Sequence, residues 1–216
     1  RLVLVAPYLC YMRQDKAFKT GEAVSQIIVG DFLSYYFDKV VTVDPHLHRI
    51  DDLHDVFTSC ETENLSAGLV IANTLASQKN LDDIVLIGPD VESEQWVETI
   101  ARILKKPYEI AEKKRLGDRN VIVTFSNDAE IQGKRAVVVD DIISSGVTVC
   151  RCAEALLVAG ADSVDAIAVH ALSTDDEMIA MKKAGVSNVW STDSVLHSTN
   201  CISLAPLLVE VLRKEI

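Results

Sequence analysis

The chain has 216 residues, of which 49% are hydrophobic and 25% are charged, and this balance is typical of a globular protein with one large or two small domains. Its formal net charge of −11 argues against a nucleic-acid partner or an anionic membrane surface. The lack of an apolar run of about 18 residues predicts no membrane span. Five cysteines without metal-ligand spacing indicate free thiols in a reducing cytoplasm.

Hydrophobic patterning predicts strands that alternate with helices. The predicted strands are 2–6, 39–43, 83–88, 120–125, 136–140, 164–170 and 187–191. The predicted helices are 21–37, 64–78, 93–105, 149–159, 174–184 and 204–215. This order predicts an α/β fold with mainly parallel sheets and right-handed crossovers. The polar stretch around residues 58–64 is the best candidate for a domain boundary.

Polar segments follow the first two predicted strands. In the first, residues 11–16, the guanidinium of Arg13 is a planar donor suited to phosphate or to an adenine edge. In the second, residues 42–49, a carboxylate and two imidazoles that can hold a divalent metal ion or a triphosphate stand within five positions: Asp44, His46 and His48. A solvent-exposed loop and a surface histidine are the alternatives for these two segments.

Two further polar segments come later in the chain. Asp90 stands where the chain leaves a strand for a helix, a position that suits either a ligand or a helix N-cap. Residues 112–120 are the densest positive patch of this acidic protein and include Lys113 and Arg115. A charged turn is one interpretation of this patch. The other is a mobile loop that brings cations to a phosphoryl group in the transition state.

Residues 137–148, VVVDDIISSGVT, contain the most specific pattern. The valines predict a strand buried on both faces, and Asp140 and Asp141 follow at its carboxyl end, where open α/β sheets bind ligands. A predicted loop then leads into a helix, and it consists of Ser144, Ser145, Gly146, Val147 and Thr148. Backbone N–H groups and hydroxyls at a helix N-terminus suit a phosphate, although the Walker lysine is missing. An ordinary capped helix is the alternative.

Taken together, these motifs resemble the ribose-phosphate pyrophosphokinase (PRPP synthetase) family of the phosphoribosyltransferase-fold group. The resemblance is collinear over essentially the whole chain, and its motifs are residues 6–26, VDPHLH, IGPD, the EKKR loop and VVVDDIISSGVT. Ordinary phosphoribosyltransferases share only the last motif, whereas RQDK and DPH are specific to the synthetases. Such enzymes transfer the diphosphoryl group of Mg–ATP to the 1-hydroxyl of ribose 5-phosphate and release AMP.

The resemblance implies a role for each matched residue. The implied ATP-binding residues are Arg13, Gln14, Asp15 and His46. The ribose hydroxyls would be held by Asp140 and Asp141, and the 5-phosphate by Ser144, Ser145, Gly146, Val147 and Thr148. The flexible catalytic loop would contribute Lys113 and Arg115. The Mg²⁺ ion would be held by His46 and Asp90.

The resemblance also implies two phosphoribosyltransferase-like domains. Residues 1–62 would be the remainder of the first and residues 63–203 the second, with the final helix, 204–216, returning to the first. The family's first domain begins well before the strand that starts here, and the chain has no initial Met, so we expect an incomplete first domain and weak ATP binding. A homo-oligomer built from dimers, up to a hexamer, is implied as well.

Two other functions stay open at this point. A phosphoribosyltransferase that consumes PRPP would use the same phosphate loop, but it needs no ATP site, and the RQDK and DPHLH segments therefore argue against it. A non-catalytic regulatory subunit of a synthetase usually loses the catalytic loop, whereas Lys113 and Arg115 are both present here.

Overall fold

The computed structural model describes residues 1–17, 19–47, 50, 52–78, 81, 83–115 and 121–215, with the backbone alone for residues 114, 115, 121 and 122. The chain forms two compact units, Arg1–Ala67 and Gly68–Ile216. Within the described residues, no helix combines the length and the apolar character needed to cross a bilayer.

A three-stranded parallel sheet forms the first unit. Its strands are β1 (Val3–Val5), β2 (Lys39–Val43) and β3 (Glu61–Leu65), in that order, and helix α1 (Ser25–Tyr36) lies between β1 and β2 in the chain. All five residues of β2 are buried, as in a parallel strand that is covered on both faces, and the strand pairs with a neighbour on each side. The segment after β2 therefore leaves the carboxyl edge of this sheet at its centre, the edge at which open α/β sheets bind ligands.

Helix α1 packs closely against the chain at Val56. A side chain at Gly30 would place its Cβ 2.2 Å from the Val56 carbonyl oxygen, so only glycine allows this approach. The core of this unit consists of Leu9, Met12, Val40, Leu53, Val56, Phe57 and Cys60. Because Met12 belongs to the core, the residues that follow it are held at a fixed place on the surface.

The second unit is built on a six-stranded parallel sheet in the order β11-β10-β9-β8-β4-β5, with a separate antiparallel hairpin of β6 and β7. The strands are β4 (Ile84–Gly88), β5 (Tyr108–Ile110), β6 (Glu112–Arg115), β7 (Val121–Thr124), β8 (Arg135–Ile143), β9 (Ser163–Ala171), β10 (Val186–Thr192) and β11 (Asn200–Ile202). The helices are α2 (Gly68–Ala76), α3 (Glu94–Leu104), α4 (Val147–Val158), α5 (Asp175–Lys183) and α6 (Ala205–Leu212).

The strand β8 occupies the middle of this sheet, between β4 and β9. Its valines, Val137, Val138 and Val139, are fully buried, as expected for a parallel strand that is covered on both faces. Helix α4 packs on β8 and β9 through Val149, Cys152 and Leu156. A rigid strand and a buried helix therefore fix the two ends of the predicted phosphate loop.

The predicted α/β architecture with mainly parallel sheets flanked by helices is confirmed, but some boundaries differ. The polar stretch at residues 58–64, predicted as a domain boundary, contains most of β3, since its backbone pairs with β2 along the whole strand. The units consequently divide after residue 67 and not after 62. The final helix, α6, lies in the residue range of the second unit.

The acid-containing strand is longer than predicted. The strand β8 runs to Ile143, because its parallel pairing with β9 continues as far as Ala171. Asp140 and Asp141 are therefore held in extended strand and do not follow it. The loop is correspondingly short, since α4 already begins at Val147, and the predicted loop residues Val147 and Thr148 form the first turn of the helix.

Candidate functional site

Two adjacent carboxylates lie near the carboxyl end of β8. Asp141 is buried, and its Oδ1 accepts a hydrogen bond of 2.8 Å from the backbone N–H of Ile142. Its own N–H donates to Asp140 Oδ1 at 3.0 Å. Because both side chains are tied to neighbouring backbone N–H groups, the two carboxylates are held in place before any ligand arrives.

Burial raises the pKa of the Asp140 carboxyl well above its usual range, and the nearby charges of Asp141 and Asp90 raise it further. Asp90 follows β4, which pairs directly with β8, and this pairing brings the third carboxylate to the same edge of the sheet. Perturbed carboxyl groups in such a cluster are typical of binding and catalytic sites.

One cation of the predicted basic loop reaches this cluster. Lys113 Nζ lies 2.7 Å from Asp90 Oδ2, and both side chains are about one-third exposed, at 36% and 30%. An ion pair with this exposure contributes only about 0–1 kcal/mol to stability. Asp90 also precedes a short 3₁₀ turn, where its backbone carbonyl accepts from Ser93 Oγ at 2.6 Å. The residue thus stands at a helical N-terminus and pairs with a cation as well.

A neutral thiol lies beneath the cluster. Cys152 of α4 is buried, and burial raises the pKa of its thiol to about 12, with the charges of Lys113, Asp140 and Asp90 acting on it more weakly. A thiol with this pKa is unreactive at neutral pH. We therefore assign Cys152 to the apolar floor of the site and not to its chemistry.

The start of α4 offers donors for an anion. Gly146 is the N-cap residue with φ 67°, so the N-cap position has no side chain, and the first turn of the helix contains no acidic residue. The first N–H groups of a helix and the helix dipole favour a negatively charged group at this position. A Cβ at residue 146 would lie 3.0 Å from Met181 Cγ and Sδ, so the turn requires glycine for its φ and for its tight packing.

The predicted ATP segment forms a turn that is attached to α1. The Gln14 N–H donates to the Tyr11 carbonyl at 3.0 Å, and Tyr11 has a positive φ of 67°. Ser25 Oγ donates to Gln14 Oε1 at 2.9 Å. Arg13 and Gln14 are exposed, and Asp15 is half-buried. These residues lie at the surface of the first unit, where a ligand can reach them.

The backbone around His46 is strained. Asp44 and His46 have φ values of 41° and 52° on either side of Pro45, and such conformations cost about 1–3 kcal/mol each in non-glycine residues. They are held by a buried network, because Asp44 Oδ2 accepts from the Ala67 N–H at 2.8 Å and the His46 N–H donates to the Asp44 carbonyl at 2.9 Å. Strain of this kind concentrates at functional sites.

The structure brings together some of the predicted residues and leaves others apart. Asp90, Lys113, Asp140 and Asp141 form one cluster of the second unit, whereas His46 belongs to the first unit. Among the described residues, no group of three or more His, Cys, Asp or Glu side chains is arranged to hold a metal ion. Three parts of the predicted site lie outside the described part of the chain: His48, the side chain of Arg115 and residues 116–120 of its loop.

Sequence patterns missed the residues that support the site. Ser25 and Gln26 hold the turn around Gln14, and Cys152 forms the floor beneath the carboxylates. A polar pair directly before the apolar stretch IIVG was the available signal for the first two. No local pattern marks Cys152, because its position beneath the carboxylates depends on how α4 packs on the sheet.

Comparisons with known proteins identify relatives of this chain. A family model described as a phosphoribosyl transferase domain matches residues 61–198. Ribose-phosphate pyrophosphokinase 2 of Archaeoglobus fulgidus is 36% identical over 206 residues, which cover 95% of this chain and 72% of that protein. Ribose-phosphate pyrophosphokinase of Methanothermobacter thermautotrophicus is 36% identical over 208 residues, which cover 96% of this chain and 70% of that protein.

A solved structure is similar over nearly the whole chain. The crystal structure of phosphoribosylpyrophosphate synthetase from Mycobacterium smegmatis superposes with a TM-score of 0.83 and 25% identity, covering 99% of this chain and 70% of that one. This chain therefore spans about seven-tenths of the length of these relatives.

The raised pKa of Asp140 predicts a pH-dependent effect of replacing it with Asn. The folded state holds the Asp140 proton to higher pH than the unfolded state, so this carboxyl lowers stability progressively as the pH rises above about 4, until its folded pKa is passed. Asn does not titrate. In thermal unfolding, the Tm of Asp140→Asn relative to the wild type should therefore increase with pH, by roughly 2–4 °C for each kcal/mol of relieved destabilisation. A Tm difference that is constant from pH 4 to 8, or that falls with pH, would contradict this electrostatic picture.

Proposed function

Because this chain belongs to the ribose-phosphate pyrophosphokinase family, we propose that it transfers the diphosphoryl group of ATP to the 1-hydroxyl of ribose 5-phosphate, and that the carboxylate edge of its second unit binds the sugar phosphate. The products are PRPP and AMP. The observation that carries this assignment is the convergence of Asp90, Lys113 and Asp140 at one edge of the sheet, beside the N-terminus of α4. The chain is a transferase of nucleotide biosynthesis.

We assign the sugar phosphate to residues 140–148. The carboxylates of Asp140 and Asp141 accept hydrogen bonds from ribose hydroxyls, which supply the donors that this crowded acidic edge needs. The 5-phosphate binds at the start of α4, where Ser144, Ser145 and Thr148 offer hydroxyls and the helix offers N–H groups. Gly146 and Val147 contribute through the backbone.

We assign ATP to the first unit. Arg13 presents an exposed guanidinium for a phosphate or for the adenine edge, and Gln14 and Asp15 stand beside it in the same turn. His46 is half-buried on its strained backbone after β2, where its imidazole suits a contact with the phosphates. The constrained turn at each of these places lowers the entropy that is lost when ATP binds.

The carboxylate of Asp90 fits Mg²⁺, because this ion prefers oxygen ligands and usually takes only one or two protein carboxylates, with substrate phosphates and water completing the shell. That preference agrees with the lack of a larger ligand cluster among the described residues. The imidazole of His46 fits the ion less well, so we keep His46 as an ATP-phosphate contact. When bound with ATP, Mg²⁺ supplies charge neutralisation for the transferred phosphates.

We assign Lys113 to the chemical step. Phosphoryl transfer accumulates charge on the phosphate oxygens, and an ammonium that is already in place stabilises this charge without reorganisation. Asp90 holds the Lys113 ammonium at 2.7 Å and so keeps it at the carboxylate edge. The predicted catalytic role of Arg115 stays a proposal that rests on the family resemblance alone.

We further propose that the two units correspond to the two phosphoribosyltransferase-like domains of the family, and that the protein assembles into dimer-based homo-oligomers, up to hexamers. A cytoplasmic location is proposed because Cys10, Cys60, Cys150, Cys152 and Cys201 are all free thiols.

Release of AMP tests the proposed function. The purified protein, mixed with ATP, Mg²⁺ and ribose 5-phosphate, should form AMP only when ribose 5-phosphate is present. The substitution Lys113→Ala should lower kcat by about 10²–10³-fold with a much smaller change in either KM, because the lost interaction is made mainly in the transition state.

The substitution Lys134→Ala is the matched control, since Lys134 also forms an ion pair of 2.7 Å, with Glu130, in a similarly exposed position. It should leave the kinetics unchanged. AMP formation without ribose 5-phosphate, or a Lys113→Ala effect confined to KM, would contradict the assignment.

The phosphate loop is tested by a pair of glycine substitutions. Gly146→Ala forces a side chain into a left-handed turn against Met181, which should displace the loop and raise the KM for ribose 5-phosphate by about tenfold, with little change in the KM for ATP. Gly133 has a similar φ of 71°, but nothing lies within 4 Å of its Cβ position. Gly133→Ala should therefore share the backbone strain and leave both KM values unchanged. Equal kinetic effects of the two variants would remove the loop from the ribose 5-phosphate site.

A further inference from the structure

Gln26, in the first turn of α1, makes two contacts with the proposed ATP segment. Its Nε2 donates to the Met12 carbonyl at 3.1 Å, and its backbone N–H donates to the Gln14 carbonyl at 3.2 Å. These two carbonyls lie on either side of Arg13. One residue of the helix therefore fixes the backbone both before and after the guanidinium that we assign to ATP.

The same turn is held from two other directions. Ser25 Oγ donates to Gln14 Oε1 at 2.9 Å, so the side chain of Gln14 is fixed together with its backbone. Met12 is 1% exposed and packs in the core of the first unit, next to Leu9 and Phe57. With Met12 directed inward and held at its carbonyl, the exposed Arg13 is left on the outer side of the turn.

Gln26 is a poor choice for stability alone. The residue is 1% exposed, and its Oε1 is a buried oxygen without a hydrogen-bond partner among the described residues. A buried polar atom of this kind is costly, whereas an apolar side chain of the same length would fill the space without that cost. The observation that needs explaining is therefore why this buried position carries an amide, and the Nε2 bond to Met12 is what the amide provides.

We propose that Gln26 is a positioning residue for ATP, which holds the Met12 and Gln14 carbonyls so that the Arg13 guanidinium meets the nucleotide in one geometry. This inference rests on the assignment of ATP to Arg13–Asp15. A preorganised guanidinium binds more tightly because less freedom is lost on binding. The effect is specific to ATP, since the residues assigned to ribose 5-phosphate belong to the second unit.

The test is the substitution Gln26→Met, which keeps the length and removes the amide. Calorimetric titration should show the Kd for ATP, measured with Mg²⁺, raised by about 5–10-fold, as expected for one lost hydrogen bond that orients a ligand-binding residue. The Kd for ribose 5-phosphate should change by less than about twofold, and the Tm should be equal or higher because the unpaired oxygen is gone. Ser34→Ala is the control, because Ser34 is a buried polar residue of the same helix that lies away from the ATP segment; it should leave both Kd values unchanged.

An unchanged Kd for ATP, or equal losses of affinity for both ligands, would overturn the proposal. If Gln26→Met does not fold, Ser25→Ala serves as the second variant, because it removes only the bond to Gln14 Oε1. Selectively weaker ATP binding by Ser25→Ala would then support the proposal. Unchanged ATP binding by Ser25→Ala would leave Gln26 a structural residue and overturn it. Failure of the proposed function is a separate outcome, since it appears as absent AMP formation by the wild type, whereas the ATP titration tests Gln26 directly.

Discussion

The crowding of three carboxylates, those of Asp140, Asp141 and Asp90, at a buried edge of the sheet is the constraint on which the rest of the site depends. A parallel strand covered on both faces brings two of them to the edge of the sheet, and the neighbouring strand brings the third. Burial of Asp140, together with the repulsion among these carboxylates, raises its pKa, and Lys113 pairs with Asp90. An edge arranged in this way favours ligands that bring hydrogen-bond donors and cations, which are what a ribose with its hydroxyls and a metal-bound triphosphate supply.

In both units, buried elements hold the candidate binding residues in conformations that are unfavourable by themselves. In the second unit, the buried β8 and α4 hold the acids and the glycine turn between them. In the first unit, the buried Asp44 holds the strained backbone at His46, and Gln26 holds the turn at Arg13 despite its unpaired oxygen. The strained backbone and the unpaired oxygen both cost stability. They are understandable if the buried elements serve to present functional groups in one geometry, and in that respect the site residues differ from the apolar core.

The sequence alone predicted the features whose signals are local. Three consecutive valines followed by two acids and a small-residue loop predict a buried strand, and the valines are buried as predicted. Non-local features were not predictable. The polar segment of β3 is a strand only because β2 offers it a partner, and the Lys113–Asp90 pair joins residues 23 positions apart. The extension of β8 through both acids likewise depends on its pairing with β9, which hydrophobic periodicity does not report.

The central claim is that the acids near the end of β8 bind ribose hydroxyls. The most direct test removes the hydroxyls from the ligand and the carboxylates from the protein, separately and together. Calorimetric affinities for ribose 5-phosphate and 2,3-dideoxyribose 5-phosphate are compared in the wild type and in the double variant Asp140→Ala, Asp141→Ala, with folding checked by circular dichroism. The wild type should lose about tenfold or more in affinity when the hydroxyls are removed, whereas the variant, already weakened, should bind the two ligands about equally. Equal losses in both proteins would show that these carboxylates do not contact the ribose.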